Sequence, residues 1–205
     1  MIKPHFSLNR RLKRYFAEMT LIILSVLLAF ILNELRNNHI ENKNLITSLE
    51  FIKEEVSQNQ LYINEIINVH KKVIENIDSL LINEKFHDTF SPEYGFSYFN
   101  IYKKSFFNQL LSNDAWNIAN NNNVFDKMNI REVVILSSAY EQQQHVMRAA
   151  WDINDFLLSE AIFDEERTET NCKILRNKFK TLLGLEIRIC YNYEEAIKTL
   201  SKLTD

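Results

Sequence analysis

Residues Tyr15 to Arg36 read YFAEMTLIILSVLLAFILNELR, and the reading of this stretch decides the fold. From Met19 to Leu32 only Thr20 and Ser25 interrupt an apolar run, and a membrane helix tolerates both. With Tyr15 to Ala17 and Leu35 added, the helix reaches about 30 Å at about 1.5 Å per residue, one hydrocarbon thickness. The run is apolar all round, with no polar face for water, which argues against a soluble core helix. A basic region precedes it, but AFILNELRNN holds no small-x-small cleavage site. The expectation is an uncleaved signal anchor rather than a signal peptide. Glu18 then lies about one turn inside the near edge. There it can snorkel to the headgroups, pair with Arg14 or be neutralised by a partner.

Flanking charge sets the expected orientation. Lys3, Arg10, Arg11, Lys13 and Arg14 precede the span, while Arg36 and Lys43 follow it closely. The positive-inside rule puts the N-terminus in the cytoplasm and the rest of a single-pass chain outside it. In a Gram-negative cell that means an inner-membrane protein with a periplasmic domain. The expected division is a basic cytoplasmic tail over 1–14, the anchor over 15–36, and an extracytoplasmic helical bundle over 37–205. Ser25 and Ala29 form a small-xxx-small pair that can seat a partner helix.

Composition agrees with a helical protein. The 205 residues include only 2 Gly and 2 Pro, so few breakers favour long helices over a turn-rich sheet. A net charge of -3 offers no general attraction to nucleic acid. Cys172 and Cys190 lack CxxC spacing and have no histidines placed to complete a zinc site. Two buried thiols are the simpler reading, with a disulfide between neighbouring helices as the alternative outside the cytoplasm.

Beyond the span, Leu45, Leu49, Ile52, Val56, Asn59, Ile63, Ile66, His70, Val73, Ile77 and Leu80 keep an unbroken 4-3 spacing. This predicts a long amphipathic helix whose stripe fits a coiled-coil-like bundle seam. Asn59 and His70 either set register there or lie at its wet edge. FHDTFSPEYGFSYFN (86–100) reads as a connection with aromatic residues capping one end of the bundle. Ser91 before Pro92 looks like an N-cap. A helix is expected over about 101–111, then a short one through Trp116, and then one capped by Asn129 with Glu132. That helix carries Ile130, Val133, Ser137, Tyr140, Gln144, Met147, Trp151, Asn154, Leu158 and Ala161 at 3-4 spacing. A last helix carries Leu175, Phe179, Leu182, Ile189, Tyr193, Ile197 and Leu200. The fold class is all-α, an antiparallel bundle of three to four helices. Its seam is polar enough to suggest plasticity, a ligand cleft or a partner face.

Two segments, AEMTLIILSVLLAFILNELRNN and DAWNIANNNNVFDKMNIREVVILSSAYEQQ, resemble a broad group of uncharacterised bacterial single-span membrane proteins. The matching positions are Glu18, Leu32, Asn33, Glu34, Arg36, Ala115, Trp116, Leu136, Tyr140 and Gln143, with Leu35 where the group has Trp. The resemblance implies an anchored helical domain and no particular activity.

No phosphate loop, nucleophile elbow or CxxC pair occurs, so no hydrolase or transferase reading stands. Glu141 and His145 share a helix face, but the second Glu-x-x-His of a di-iron bundle is missing. Asp164, Glu165, Glu166 and Glu169 suit a solvated helix start. The leading expectation is therefore a membrane-anchored interaction protein that is not an enzyme. It binds a protein partner or its own copy outside the cytoplasm, in contact with the bilayer and needing no cofactor. Two alternatives are a ligand-sensing bundle, which would normally need a second span, and a metal-binding enzyme using Glu141 and His145.

Overall fold

No Pro or Gly lies between Pro4 and Pro92, so nothing covalent stops a helix there. The computed structural model describes residues 10–204, with side chains from residue 13. Its first helix, α1 (Arg10–Ile82), runs unbroken for 73 residues. The chain forms two compact units that meet at Leu45/Ile46, within α1. In the first unit every described side chain up to Asn44 is exposed.

The second unit holds the core. It contains the later part of α1, a small hairpin of β1 (Phe90–Ser91) and β2 (Gly95–Phe96), the short α2 (Asp114–Asn121), α3 (Ile130–Leu157) and α4 (Thr168–Thr204). The 4-3 stripe of α1 is buried throughout from Leu49 to Ile77, including Asn59 and His70. Glu84 at φ 53° ends α1. Lys85 N–H returns to Leu80 O and Glu84 N–H to Leu81 O, a Schellman closure with Glu84 at the left-handed position.

The side-chain contacts give the helix directions. Gln60, His70 and Asp78 of α1 meet Cys190, Glu186 and Arg176 of α4, so these two helices are antiparallel. Gln142 and Asp152 of α3 meet Leu185 and Lys178 of α4, again antiparallel. Glu55 and Asn59 meet Tyr140 and Gln143, so α1 and α3 run the same way. The all-α class holds, but the bundle is not antiparallel at every neighbour. The long connection from residue 83 to 129 carries the chain back to its starting end, which allows a parallel pair.

Three local expectations are corrected. Residues 101–111 form no helix but an irregular strap. Its backbone groups bond side chains of α1 and α3 instead of one another, so the local helical pattern loses to tertiary partners. Ser91-Pro92 does not start a helix either; Pro92 to Tyr94 form the turn between Phe90 and Phe96. Gly95 at φ +70° follows that turn, and a Cβ there would lie 2.6 Å from Ile162 O. The position thus needs glycine for both conformation and space.

The third correction is the α3 stripe. The buried residues are Leu136, Ala139, Tyr140, Gln142, Gln143, Val146, Ala150 and Ile153. Ile130, Trp151 and Leu158 are exposed. The true face is rotated by one residue from the one marked by the bulky side chains. Alanines allow close helix approach, and the glutamines are buried because each finds partners. The Asn129/Glu132 capping box is present. The acidic run starts a helix as expected, with Asp164 accepting from Glu166 N–H just before α4.

Candidate functional site

Within the first unit, several polar side chains bond a partner one turn away on the same helix. Arg14 Nε bonds Glu18 Oε1 at 3.0 Å. Thr20 and Ser25 hydroxyls donate to Phe16 O and Leu21 O, each at 2.8 Å. Ala29 and Asn33 are exposed, as are Lys13 and Arg14. The side chains of Arg10 and Arg11, with Lys3 and His5, lie outside the described residues.

Asn59 and His70 hold the strap in the second unit. Asn59 Nδ2 donates to Ser112 O at 2.7 Å, and its Oδ1 accepts Ser112 N–H at 3.1 Å. Gln143 Nε2 donates to Leu111 O and Ser112 O, while its Oε1 accepts Tyr193 O–H at 2.7 Å. Tyr62 Oη accepts the amides of Asn108 and Gln109. The polar seam is thus a set of side chains that satisfy irregular backbone. Tyr193 is buried, which pushes its phenol well above the usual range and keeps it a donor.

A second cluster centres on Glu55. Its Oε2 accepts Ser112 Oγ at 2.7 Å and Ala115 N–H at 2.9 Å, and its Oε1 accepts Tyr140 Oη at 2.6 Å. A carboxylate from α1 therefore caps the N-terminus of α2, whose own N-cap Asn113 supplies no side-chain bond. Trp116 stacks on Tyr140 with centroids 4.7 Å apart and also packs on Phe125. Burial, then the bond to Glu55, raises the Tyr140 phenol far above its normal value. Ala115, Trp116 and Tyr140 meet at Glu55, whereas Gln143 belongs to the strap network.

The third cluster is the buried His70–Glu186 pair. His70 Nε2 lies 2.7 Å from Phe106 O, a carbonyl, so this nitrogen carries a proton. Nδ1 sits between the carboxylate oxygens of Glu186 at 2.9 and 3.0 Å, bonding Oε2 and leaving Oε1 without a hydrogen bond of its own. The ring nitrogen beside the carboxylate compensates it, so that Glu186 is not a lone buried charge. Tyr98, Phe106 and Phe179 surround it. Burial raises the Glu186 carboxyl, and the His70 contact offsets part of that rise.

The remaining sequence candidates are not brought together. Glu141 and His145 are exposed, and His145 Nδ1 faces the Arg148 guanidinium at 3.2 Å. Among the described residues no group of three or more His, Cys, Asp or Glu is arranged to hold a metal. Cys172 and Cys190 are both free and both on α4, about 27 Å apart along the helix. The simpler reading of two free thiols therefore holds, with one buried and one half-buried and each raised by burial, and the alternative disulfide is excluded.

Sequence reading missed Glu55 and Glu186. Glu186 left a trace: the α4 stripe steps by seven from Leu182 to Ile189, and Glu186 fills that gap. Glu55 left none, because its partners lie far along the chain. No family model matches the chain, and no curated protein or solved structure matches it.

Proposed function

We propose that this protein is a membrane-anchored interaction module, with α1 crossing the bilayer once and the bundle binding a protein partner outside the cytoplasm. The supporting observation is the helix containing an apolar window of mean hydropathy 2.3, none of it buried. Such a surface is unfavourable in water and favourable in hydrocarbon. The hydroxyls within it bond their own backbone, which suits that surround. The buried polar groups of the bundle serve the strap and the α2 cap, which supports a binding rather than a catalytic role. The likeness to uncharacterised single-span bacterial membrane proteins belongs to the same reading.

A C-terminal alkaline phosphatase fusion tests the orientation, with activity expected; an inactive fusion reverses it. Glu18→Gln should leave insertion intact, because a neutral amide near the membrane edge is no costlier to insert than a carboxylate. Cross-linking in native membranes that yields neither a heteromeric nor a homomeric product would count against a partner.

A further inference from the structure

The interaction reading needs a surface, and α1 and α2 frame one. A groove of about 370 Å³ is lined by Ser48, Phe51, Glu54 and Glu55 of α1 and by Asp114, Ala115 and Ile118 of α2. Phe51 and Ile118 are each 60% exposed on its flanks, although both are large apolar side chains. Its lining charges are all carboxylates. Glu55 is engaged by Tyr140, Ser112 and the α2 amide, and Asp114 Oδ2 lies 3.3 Å from Ser112 Oγ, with Glu54 and Asp114 the exposed carboxylates of the lining. The Glu55 cap and the Trp116–Tyr140 stack hold α2 in place, so the groove is preformed.

Charge complementarity decides between occupants. A second copy docking by two-fold symmetry brings this acidic patch against its own counterpart, and an anionic lipid surface meets the same repulsion. We propose that the groove receives a basic amphipathic segment of a partner protein. That segment places a bulky apolar side chain between Phe51 and Ile118 and sets Lys or Arg against Glu54 and Asp114. This proposal rests on the interaction reading above and specifies its site.

The test uses the full chain in detergent, with a photoreactive phenylalanine analogue at position 51 or, as control, at the exposed position 187 on α4. The probes are a synthetic amphipathic helix of Lys, Leu and Ala and a counterpart carrying Glu for Lys. Cross-linking to the Lys peptide is expected at 51 and not at 187, with little to the Glu peptide. Glu54→Lys combined with Ile118→Ser should lower it at least about fivefold at unchanged melting temperature, as expected for a loss of complementarity. Equal cross-linking of both peptides, or a yield untouched by the double substitution, overturns the proposal. So does cross-linking at neither position. Cross-links at 187 in place of 51 overturn the groove but leave the interaction reading standing, whereas an inactive phosphatase fusion reverses the orientation in that reading and leaves the groove standing.

Discussion

Glu55 and Glu186 show how one carboxylate can organise a bundle in two different ways. Glu55 gathers a hydroxyl, a phenol and a helix amide, so each of its oxygens replaces lost water with a donor. Glu55→Ala strands those donors and should cost about 2–3 kcal/mol in urea unfolding of the detergent-solubilised chain. Glu186 instead relies on a single nitrogen of His70. Its carboxyl is raised in the folded state, so the native protein holds the proton more firmly than the unfolded chain. The contribution of Glu186 to stability is therefore full below the ordinary carboxylate value and is lost as pH rises through the raised one. Glu186→Gln keeps a hydrogen-bonding group beside the His70 ring and removes the carboxyl titration. Wild type minus variant stability should accordingly be greatest in acid and decline toward neutral pH, as read by thermal melts across pH. A difference that stays flat with pH would refute this account.

At the scale of elements, the strap and α4 respond in opposite ways to small changes. The strap amides of Asn108 and Gln109 depend on the Tyr62 hydroxyl. Tyr62→Phe should speed hydrogen exchange at those two amides while leaving α3 and α4 unchanged. Gly184 lies inside α4 with open space where a Cβ would go. Gly184→Ala should stabilise the chain by about 0.5–1 kcal/mol through helix propensity alone. Gly95→Ala should do the reverse by more than about 1 kcal/mol, since φ is positive and the Ile162 carbonyl blocks the Cβ. Melting temperatures of the two variants, moving in opposite directions from wild type, check the pair.

At the scale of the whole molecule, every core residue among those described lies at Leu49 or beyond. A chain beginning at Ile46 should thus fold and partition to water in a detergent phase separation, whereas the full chain should follow the detergent. The helical character of both parts is already legible in the sequence. The apolar run at Tyr15 to Arg36, the absence of breakers and the α1 stripe are local patterns. A chain with those periods can bury its apolar side chains only as helices. The sequence by itself also sets the cap at Asn129, because capping needs only neighbours a few residues away. Tertiary structure alone decided the strap, the buried face of α3 and the roles of Glu55 and Glu186. In each case the deciding partner lies tens of residues distant: Gln143 for Ser112, Glu55 for Ala115, His70 for Glu186. A buried polar group is stable only where its partner arrives, and the pattern of one segment does not carry that information.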